Sequence, residues 1–226
     1  MNILALDCAV TRISLAVKTD SKFISATYDI GMRQSEILIP SIDELLHKAE
    51  MSPSELNVMV LTIGPGSFTG LRLGISAFKA IELAYNVPVY GVSSLEVYAY
   101  PYKNLGFPVL SCIDANKDKF YVNLSEDKKI ILKDDDYEIA KIIETVKDFE
   151  TIFICGPDAP KLSDILQTAY NDKSFLVPAA SAQTAESLIK IAEELIEKKA
   201  EPLKDFYGPV YLRASEAELK LKGAIS

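Results

Sequence analysis

One histidine, His47, is the whole supply in 226 residues. A two-histidine metal pair is therefore excluded, and a Ser-His-Asp relay would have to run through a residue on the polar side of its predicted helix, beside Lys48, with no nucleophile turn nearby. Cysteine is equally sparse. Cys8, Cys112 and Cys155 are odd in number, far apart and free of metal-type spacing, and each lies in an apolar, strand-like context, which reads as buried, reduced thiols. Basic charge is in deficit: 24 Lys and Arg against 32 Asp and Glu leave a net charge of −8, the wrong sign for holding nucleic acid unaided. Any such binding has to be carried by a partner. No apolar run approaches the roughly 20 residues that cross a bilayer, and Met1-Asn2-Ile3 opens on a strand with no basic stretch before it, so the expected location is the cytoplasm, with no membrane partner.

What is present is an ordinary globular composition, 49% hydrophobic and 25% charged, enough to bury a substantial core in one large domain or two small ones. Predicted strands cover residues 2–6, 13–18 and 23–28, the first a nearly continuous apolar run ending on Asp7, as in a strand buried on both faces. A helix follows over 35–50, with Leu38, Ile42, Leu45, Leu46 and Ala49 on one face and Pro40 either in its first turn or at a kink near its start. Ser52-Pro53-Ser54-Glu55 has the shape of a capping box and leads into a strand at 58–63. A glycine-rich segment, a helix ending near Tyr85, a strand at 87–92 and a short helix after Ser93-Ser94 complete the first half. The second half reads as strands at 109–113, 120–124 and 129–132, a helix at 137–147, a strand at 152–155, a helix at 158–170, a strand at 175–177 and a helix at 185–199. Lys133-Asp134-Asp135-Asp136 reads as a solvated turn and helix start. The order βββαβαβα thus occurs twice, broken within 100–108, where Pro101, Gly106 and Pro108 punctuate. This predicts an α/β protein of tandem ribonuclease H-like, actin-like halves, 1–104 and 105–226, each with a mixed sheet, the last segment of the second packing back.

The rest of the chain is organised around Gly64-Pro65-Gly66-Ser67-Phe68-Thr69-Gly70-Leu71-Arg72-Leu73-Gly74, which holds four of the ten glycines. Glycines between a strand and a helix put backbone N–H groups where an anion or another backbone can come close, so the segment is a ligand cradle or a contact seam. A P-loop requires Lys and then Ser or Thr after the last glycine; Leu71-Arg72 stands there instead. A dinucleotide fingerprint fails on spacing, and the next strand ends in Gly91-Val92-Ser93-Ser94 with no acid for a ribose. Along the helix, Gly70, Gly74 and Ala77 share one face, continued by Ile81 and Ala84, and admit a close neighbour. Each helical glycine costs roughly 1 kcal/mol against alanine, which argues for a packing or binding gain. Spacing leaves open whether the neighbour belongs to this chain or to another subunit. Asp7 and Asp114 each end the first strand of a half, either as the metal-contacting carboxylates of an actin-type nucleotide site or as polar caps. Asp7-Cys8-Ala9-Val10-Thr11-Arg12 lacks the glycine of a phosphate-gripping loop, which leaves Asp7 and Asp114 as a residual site at most.

The glycine segment closely resembles the signature of the bacterial TsaB (YeaZ) family, a subunit of the machinery that makes threonylcarbamoyladenosine in tRNA. Supporting matches are Ile3-Leu4-Ala5-Leu6-Asp7, Ser35-Glu36 with Leu38 and Pro40, Val92-Ser93-Ser94-Leu95, Ile113-Asp114-Ala115 with Tyr121, and Pro209 with Tyr211-Leu212-Arg213. Two departures remove polar ligand capacity: Gln34 stands where the family commonly has His, and Cys8-Ala9 where it commonly has Thr-Ser. The resemblance implies an actin-like fold shared with a catalytic partner, TsaD, which holds metal through paired histidines and transfers the threonylcarbamoyl group to the adenosine beside the anticodon. It also implies pairing with TsaD through helices of the N-terminal half, a TsaE-type ATPase as third member, and tRNA reached only through the complex. The expectation is a non-catalytic scaffold subunit with no catalytic residue, metal or cofactor of its own, ATP and metal belonging to the partners. Its partner-binding residues are expected to be Leu38, Ile42 and Leu45 beside Gly70, Gly74 and Ala77, which would meet TsaD, or a second copy in a homodimer when TsaD is absent. A bulky residue at Gly74 would then abolish pairing and leave the monomer folded. The competing expectation is an actin-like ATPase or phosphotransferase with nucleotide between its halves at Asp7 and Asp114. A peptidase, the older label for the family, finds no support in these residues.

Overall fold

The computed structural model describes residues 1–31, 33–127, 129–180 and 183–213; residues 214–226, the end of the expected C-terminal half, lie outside the described residues. β1 (Ile3–Asp7), β2 (Arg12–Lys18) and β3 (Phe23–Asp29) form an antiparallel meander, and β4 (Val58–Gly64) and β5 (Val89–Ser93) add to the other side of β1 in parallel. β6 (Val109–Asn116), β7 (Lys119–Glu126), β8 (Lys129–Glu138), β9 (Thr151–Cys155) and β10 (Ser174–Leu176) repeat that plan. Both five-stranded sheets read third-second-first-fourth-fifth across, the strand order of tandem ribonuclease H-like, actin-like halves.

The helices follow from the apolar periodicity. α1 (Gln34–Lys48) and α2 (Phe68–Tyr85) cover one face of the first sheet, where Leu38, Ile42, Leu45, Ala77 and Phe78 meet Leu4 and Leu6 of β1. The neighbouring residues of β1, Ile3 and Ala5, point the other way and are just as deeply buried, against α6 (Thr184–Glu197). Burial on both faces is why β1 carries an unbroken apolar run rather than an alternating one. α4 (Ile139–Val146) and α5 (Ala159–Ala169) bury the outer face of the second sheet. α3 (Ser94–Ala99) lies between the sheets, with Leu95 and Tyr98 packed on Val109 and Ile113.

Three local features differ from the sequence reading or refine it. Pro40 lies inside α1 rather than in its first turn; it removes the bond to the carbonyl of Glu36, and both residues are exposed, so that carbonyl is left to water. Ser52 and Glu55 form the capping box, on a single 3-10 turn at Pro53–Glu55. The acidic run is not a helix start: β8 continues through Glu138, because Asp134 is held by Ser93 Oγ and by Asn123 Nδ2 at 2.7 Å, and Asp136 is paired with Lys119 at 3.5 Å. Cross-strand partners turn a sequence that favours a helix N-terminus into an edge strand.

α6 is tied to the turn after α3 through Glu194, which accepts from Lys103 Nζ and from the Tyr100 hydroxyl, each at 2.7 Å. The Lys103 hydrogen bond first, then that from Tyr100, pushes the Glu194 carboxyl down to about 2. A depressed carboxylate stabilises the fold above its unfolded value near 4.5, and that contribution disappears as pH falls toward about 2. The side chain is 39% exposed, so screening limits the effect to on the order of 1 kcal/mol. Glu194→Gln is therefore expected to flatten the acid limb of stability between these pH values while leaving stability at pH 8 within about 1 kcal/mol of the parent; parallel acid limbs in urea titrations would show the pair contributes nothing.

Candidate functional site

The C-terminal ends of β1, β4 and β6 converge on an open cleft of 560 Å³ between the halves, walled by Ala9 and Val10, by Ser67 and Phe68, and by Asp114, Tyr121 and Arg213. Each wall has a local cause. β1 ends on Asp7 because its carboxylate is turned back into the chain: Oδ1 accepts from the Ala9 N–H at 3.0 Å and from Thr62 Oγ1 at 2.9 Å, and the residue is buried. Asp7 is thus a brace joining β1, the turn after it and β4, and it does not line the cleft. Asp114 does line it. Its Oδ1 accepts from the Asn116 N–H at 2.8 Å and its Oδ2 from Lys161 Nζ at 2.6 Å, while its own N–H donates to Asp158 at 2.8 Å. Burial acts to raise this carboxyl, but the Lys161 hydrogen bond, the Asn116 N–H and the Lys161 charge together hold it below the usual aspartate value. The two aspartates do not come together as a pair of free carboxylates.

The glycine segment is committed to this chain's own backbone. The Ser67 N–H donates to the Ala9 carbonyl at 2.6 Å, and the Gly70 N–H to Ser67 Oγ at 3.3 Å, which caps α2. A Cβ at Gly66 would lie 2.2 Å from the Ala9 carbonyl oxygen. At Gly64, φ is +125° and a Cβ would lie 2.3 Å from the Val210 carbonyl oxygen, so only glycine fits there on both counts. The Ser67 and Gly70 N–H groups, which would otherwise be open to a phosphate at this helix N-terminus, are already used.

The six residues expected to bind a partner face inward. Leu38, Ile42 and Leu45 are buried against β1 and β2; a Cβ at Gly70 would be 2.1 Å from the Cys8 carbonyl oxygen and one at Gly74 would be 2.4 Å from Cys8 Sγ; Ala77 is buried in the same core. The correction has a simple physical reason. The apolar stripe of an amphipathic helix is first claimed by its own sheet, and the glycines let α2 settle onto the end of β1.

Both departures from the family pattern act in this seam. Cys8 donates its thiol to the Gly70 carbonyl at 3.0 Å, and burial first, then the Asp7 charge, drives its pKa up, so it is inert. Gln34, also buried, donates through Nε2 to the Val10 carbonyl and fixes the turn between β1 and β2.

The sequence reading expected a last segment that packs back but did not foresee the clamp that residues 203–213 form. After α6 the chain runs back over the first sheet, with Leu203 N–H on the Val89 carbonyl and Val210 N–H on the Ile63 carbonyl, each at 2.7 Å. The Tyr211 ring stacks on Phe68 with centroids 4.3 Å apart, and Arg72 lies against both rings and donates to the Tyr211 hydroxyl at 2.6 Å. Arg213 then reaches the Ala115 carbonyl at 3.2 Å and ties the clamp to the second half.

Residues 31–221 match the family described as TsaD: tRNA N6-adenosine threonylcarbamoyltransferase. The chain is 28% identical to the tRNA threonylcarbamoyladenosine biosynthesis protein TsaB of Bacillus subtilis (strain 168), over 97% of each chain. It is also 28% identical to the protein of the same name from Escherichia coli (strain K12), over 99% of each. A crystal structure from Pseudomonas aeruginosa, described as an uncharacterized protein with similarity to peptidase YEAZ, superposes with a TM-score of 0.77 at 21% identity, over 94% of this chain and 99% of the other, a likeness that shows the fold.

Proposed function

We propose, from the premise that this chain belongs to the TsaD (tRNA N6-adenosine threonylcarbamoyltransferase) family, that it is a non-catalytic scaffold subunit for threonylcarbamoyl transfer to tRNA, acting by pairing with a TsaD-like catalytic subunit. Within the family its resemblance is to TsaB, over nearly its full length. The observation that carries the reading is the commitment of polar groups in the cleft wall and directly behind it: the Ser67 N–H and the Asp114 carboxylate in the wall, and the Gly70 N–H and the Asp7 carboxylate behind it, all have partners within the chain. ATP and metal, on this reading, are brought by partner subunits, among them a TsaE-like ATPase, and tRNA is met only through the assembly, in keeping with the net charge of −8.

The pairing surface moves to the outer faces of α1 and α2. Thr69, Leu73, Ser76, Ala80 and Leu83 follow the alternating four-and-three spacing of a helix-pairing seam, and all but the half-buried Leu73 are exposed, Leu83 at 76%. Ile39, 56% exposed on α1, adds a second apolar contact. Small residues between the two leucines let a partner helix approach closely. The same seam is proposed to form a homodimer when the catalytic subunit is absent.

Arginine at Ser76 and Ala80 together tests this. The variant is expected to keep the parent melting temperature, since both positions face solvent, and to lose at least about tenfold in affinity for the TsaD-like subunit by calorimetry. Undiminished binding would overturn the outer-face assignment. Micromolar Mg-ATP binding by the isolated chain would overturn the non-catalytic reading.

A further inference from the structure

Each of the two five-stranded sheets ends in two edge strands, and an edge exposes backbone N–H and C=O groups that can pair with another chain. Among the described residues, three of these edges are covered, short or blunted. β5 is met by the segment that returns after α6, whose Leu203 N–H donates to the Val89 carbonyl at 2.7 Å. β10 is only three residues long. β8 breaks register with β7 twice and carries Lys129, Lys133 and the acidic run at 134–136. β3 has none of these devices. It pairs with β2 residue for residue, from Arg12 opposite Asp29 to Lys18 opposite Phe23, and between Phe23 and Tyr28 it holds no charge, proline or glycine.

The hairpin fixes which of its groups face outward. The Thr19 N–H donates to the Lys22 carbonyl at 2.8 Å, and hydrogen-bonded pairs alternate with non-hydrogen-bonded ones along an antiparallel ladder. Ile24, Ala26 and Tyr28 therefore exchange their bonds with β2, while Phe23, Ser25, Thr27 and Asp29 turn N–H and C=O outward. Among the described residues none of those outward groups has a hydrogen-bond partner. The side chains sort onto two faces: Ile24, Ala26 and Tyr28 pack against the core under α1, and Ser25 reaches Gln183 and Glu186 on the α6 side.

Two copies of this strand complement each other. In an antiparallel pair with its two-fold axis at Ala26, the outward groups of Phe23 meet those of Asp29 and the groups of Ser25 meet those of Thr27, about eight hydrogen bonds in all. On the α1 side Ile24 of one copy stands opposite Tyr28 of the other, in the closer, non-hydrogen-bonded position. On the α6 side Ser25 stands opposite Thr27. A β-branched residue against an aromatic ring and one hydroxyl against another are pairs that stabilise sheets, and Lys22 of each copy lies diagonal to Asp29 of the other, with opposite charge.

We propose that the β3 edge pairs with β3 of a second copy of this chain and joins the two N-terminal sheets into one. The inference goes beyond the scaffold reading and does not depend on it. β3 lies at the rim of its sheet, away from Leu73 to Leu83 of α2, so a chain occupied along α2 keeps this edge open. Two chains so joined can each carry a partner on α2.

Sedimentation velocity on the full chain carrying Ser76→Arg and Ala80→Arg, which blocks the α2 seam, reads this edge alone. A dimer with a dissociation constant between roughly 1 and 300 µM is expected, the weak range of a small interface made mostly by main chain. Thr27→Pro removes an outward N–H and leaves the ladder with β2 whole, so the added proline is expected to leave the monomer folded and to weaken dimerisation at least about tenfold. Thr27→Lys, with every backbone group intact, is expected to weaken it to a similar extent by setting a charge on the edge. Thr27→Val is expected to keep the constant within about threefold. Amide exchange by NMR reads the register: protection at Phe23, Ser25, Thr27 and Asp29 is expected to rise with chain concentration, and protection at Ile24, Ala26 and Tyr28 to be present throughout. A chain that stays monomeric at about 1 mM overturns the proposal, including one that dimerises only while Ser76 and Ala80 are intact, which would assign the dimer to α2. So does a dimer that the proline and lysine variants both leave unchanged, or one without concentration-dependent protection at the four outward amides. Undiminished binding of the catalytic subunit by the double-arginine chain overturns the outer-face assignment alone.

Discussion

Alanine at Gly70 is expected to destabilise the chain by at least about 3 kcal/mol, visible as a large drop in the urea midpoint or as loss of soluble protein. The added methyl would stand 2.1 Å from the Cys8 carbonyl oxygen, and buried main chain directly after β1, braced by Asp7, cannot step aside as a flexible side chain can. Gly74→Ala meets a different obstacle, Cys8 Sγ at 2.4 Å and Leu6 Cδ2 at 3.1 Å. Its nearest clash is with a side-chain end that can be deleted. Cys8→Ala is therefore expected to recover more than about 1 kcal/mol in the Gly74→Ala background, relative to the sum of the single changes, and nothing in the Gly70→Ala background, where the obstacle is a carbonyl that every residue carries. A Gly70→Ala chain with an unchanged midpoint would mean that α2 does not sit on β1 in solution. A bulky residue at Gly74, expected from the spacing alone to break only the pairing, is now expected to break the monomer first.

Removing the Asp7 carboxylate is expected to cost about 2–4 kcal/mol. Asp7→Ala leaves the Ala9 N–H and the fully buried Thr62 hydroxyl without their shared acceptor, and each orphaned group costs about 1–3 kcal/mol. Asp7→Asn is expected to lose less than half as much, because both donors point at one oxygen, Oδ1, which an amide keeps. Equilibrium urea unfolding of the three chains measures the series. Equal stability of Asp7→Ala and the parent would remove the brace, and a metal-contacting role for Asp7 would then need a fresh look.

Much of the fold was legible because its signals are local. Apolar runs at Ile3–Asp7 and Val58–Gly64, the helical spacing of Leu38, Ile42 and Leu45, and the capping box at Ser52 all act within a few residues of where they are read, and the repeated strand order follows from them. The acidic run in β8 was misread for the converse reason: Ser93, Asn123 and Lys119 hold it as a strand from positions up to 41 residues away. The roles of the glycines were half legible. Their spacing showed that something approaches closely, yet distance along a helix does not say which backbone does so, and that backbone is Cys8 and Ala9 of the same chain.

The sequence by itself determined the two-halved α/β plan, the family resemblance through residues 64–74, and the exclusion of a histidine-based metal pair, since each rests on residue identity and short-range periodicity. Only the tertiary structure decided which way the helix faces turn, where the carboxylates of Asp7 and Asp114 are spent, and that Tyr211 and Arg72 clamp the C-terminal segment. These depend on contacts between residues up to 139 positions apart, whose partners are chosen by packing and by hydrogen-bond satisfaction rather than by neighbours in the chain.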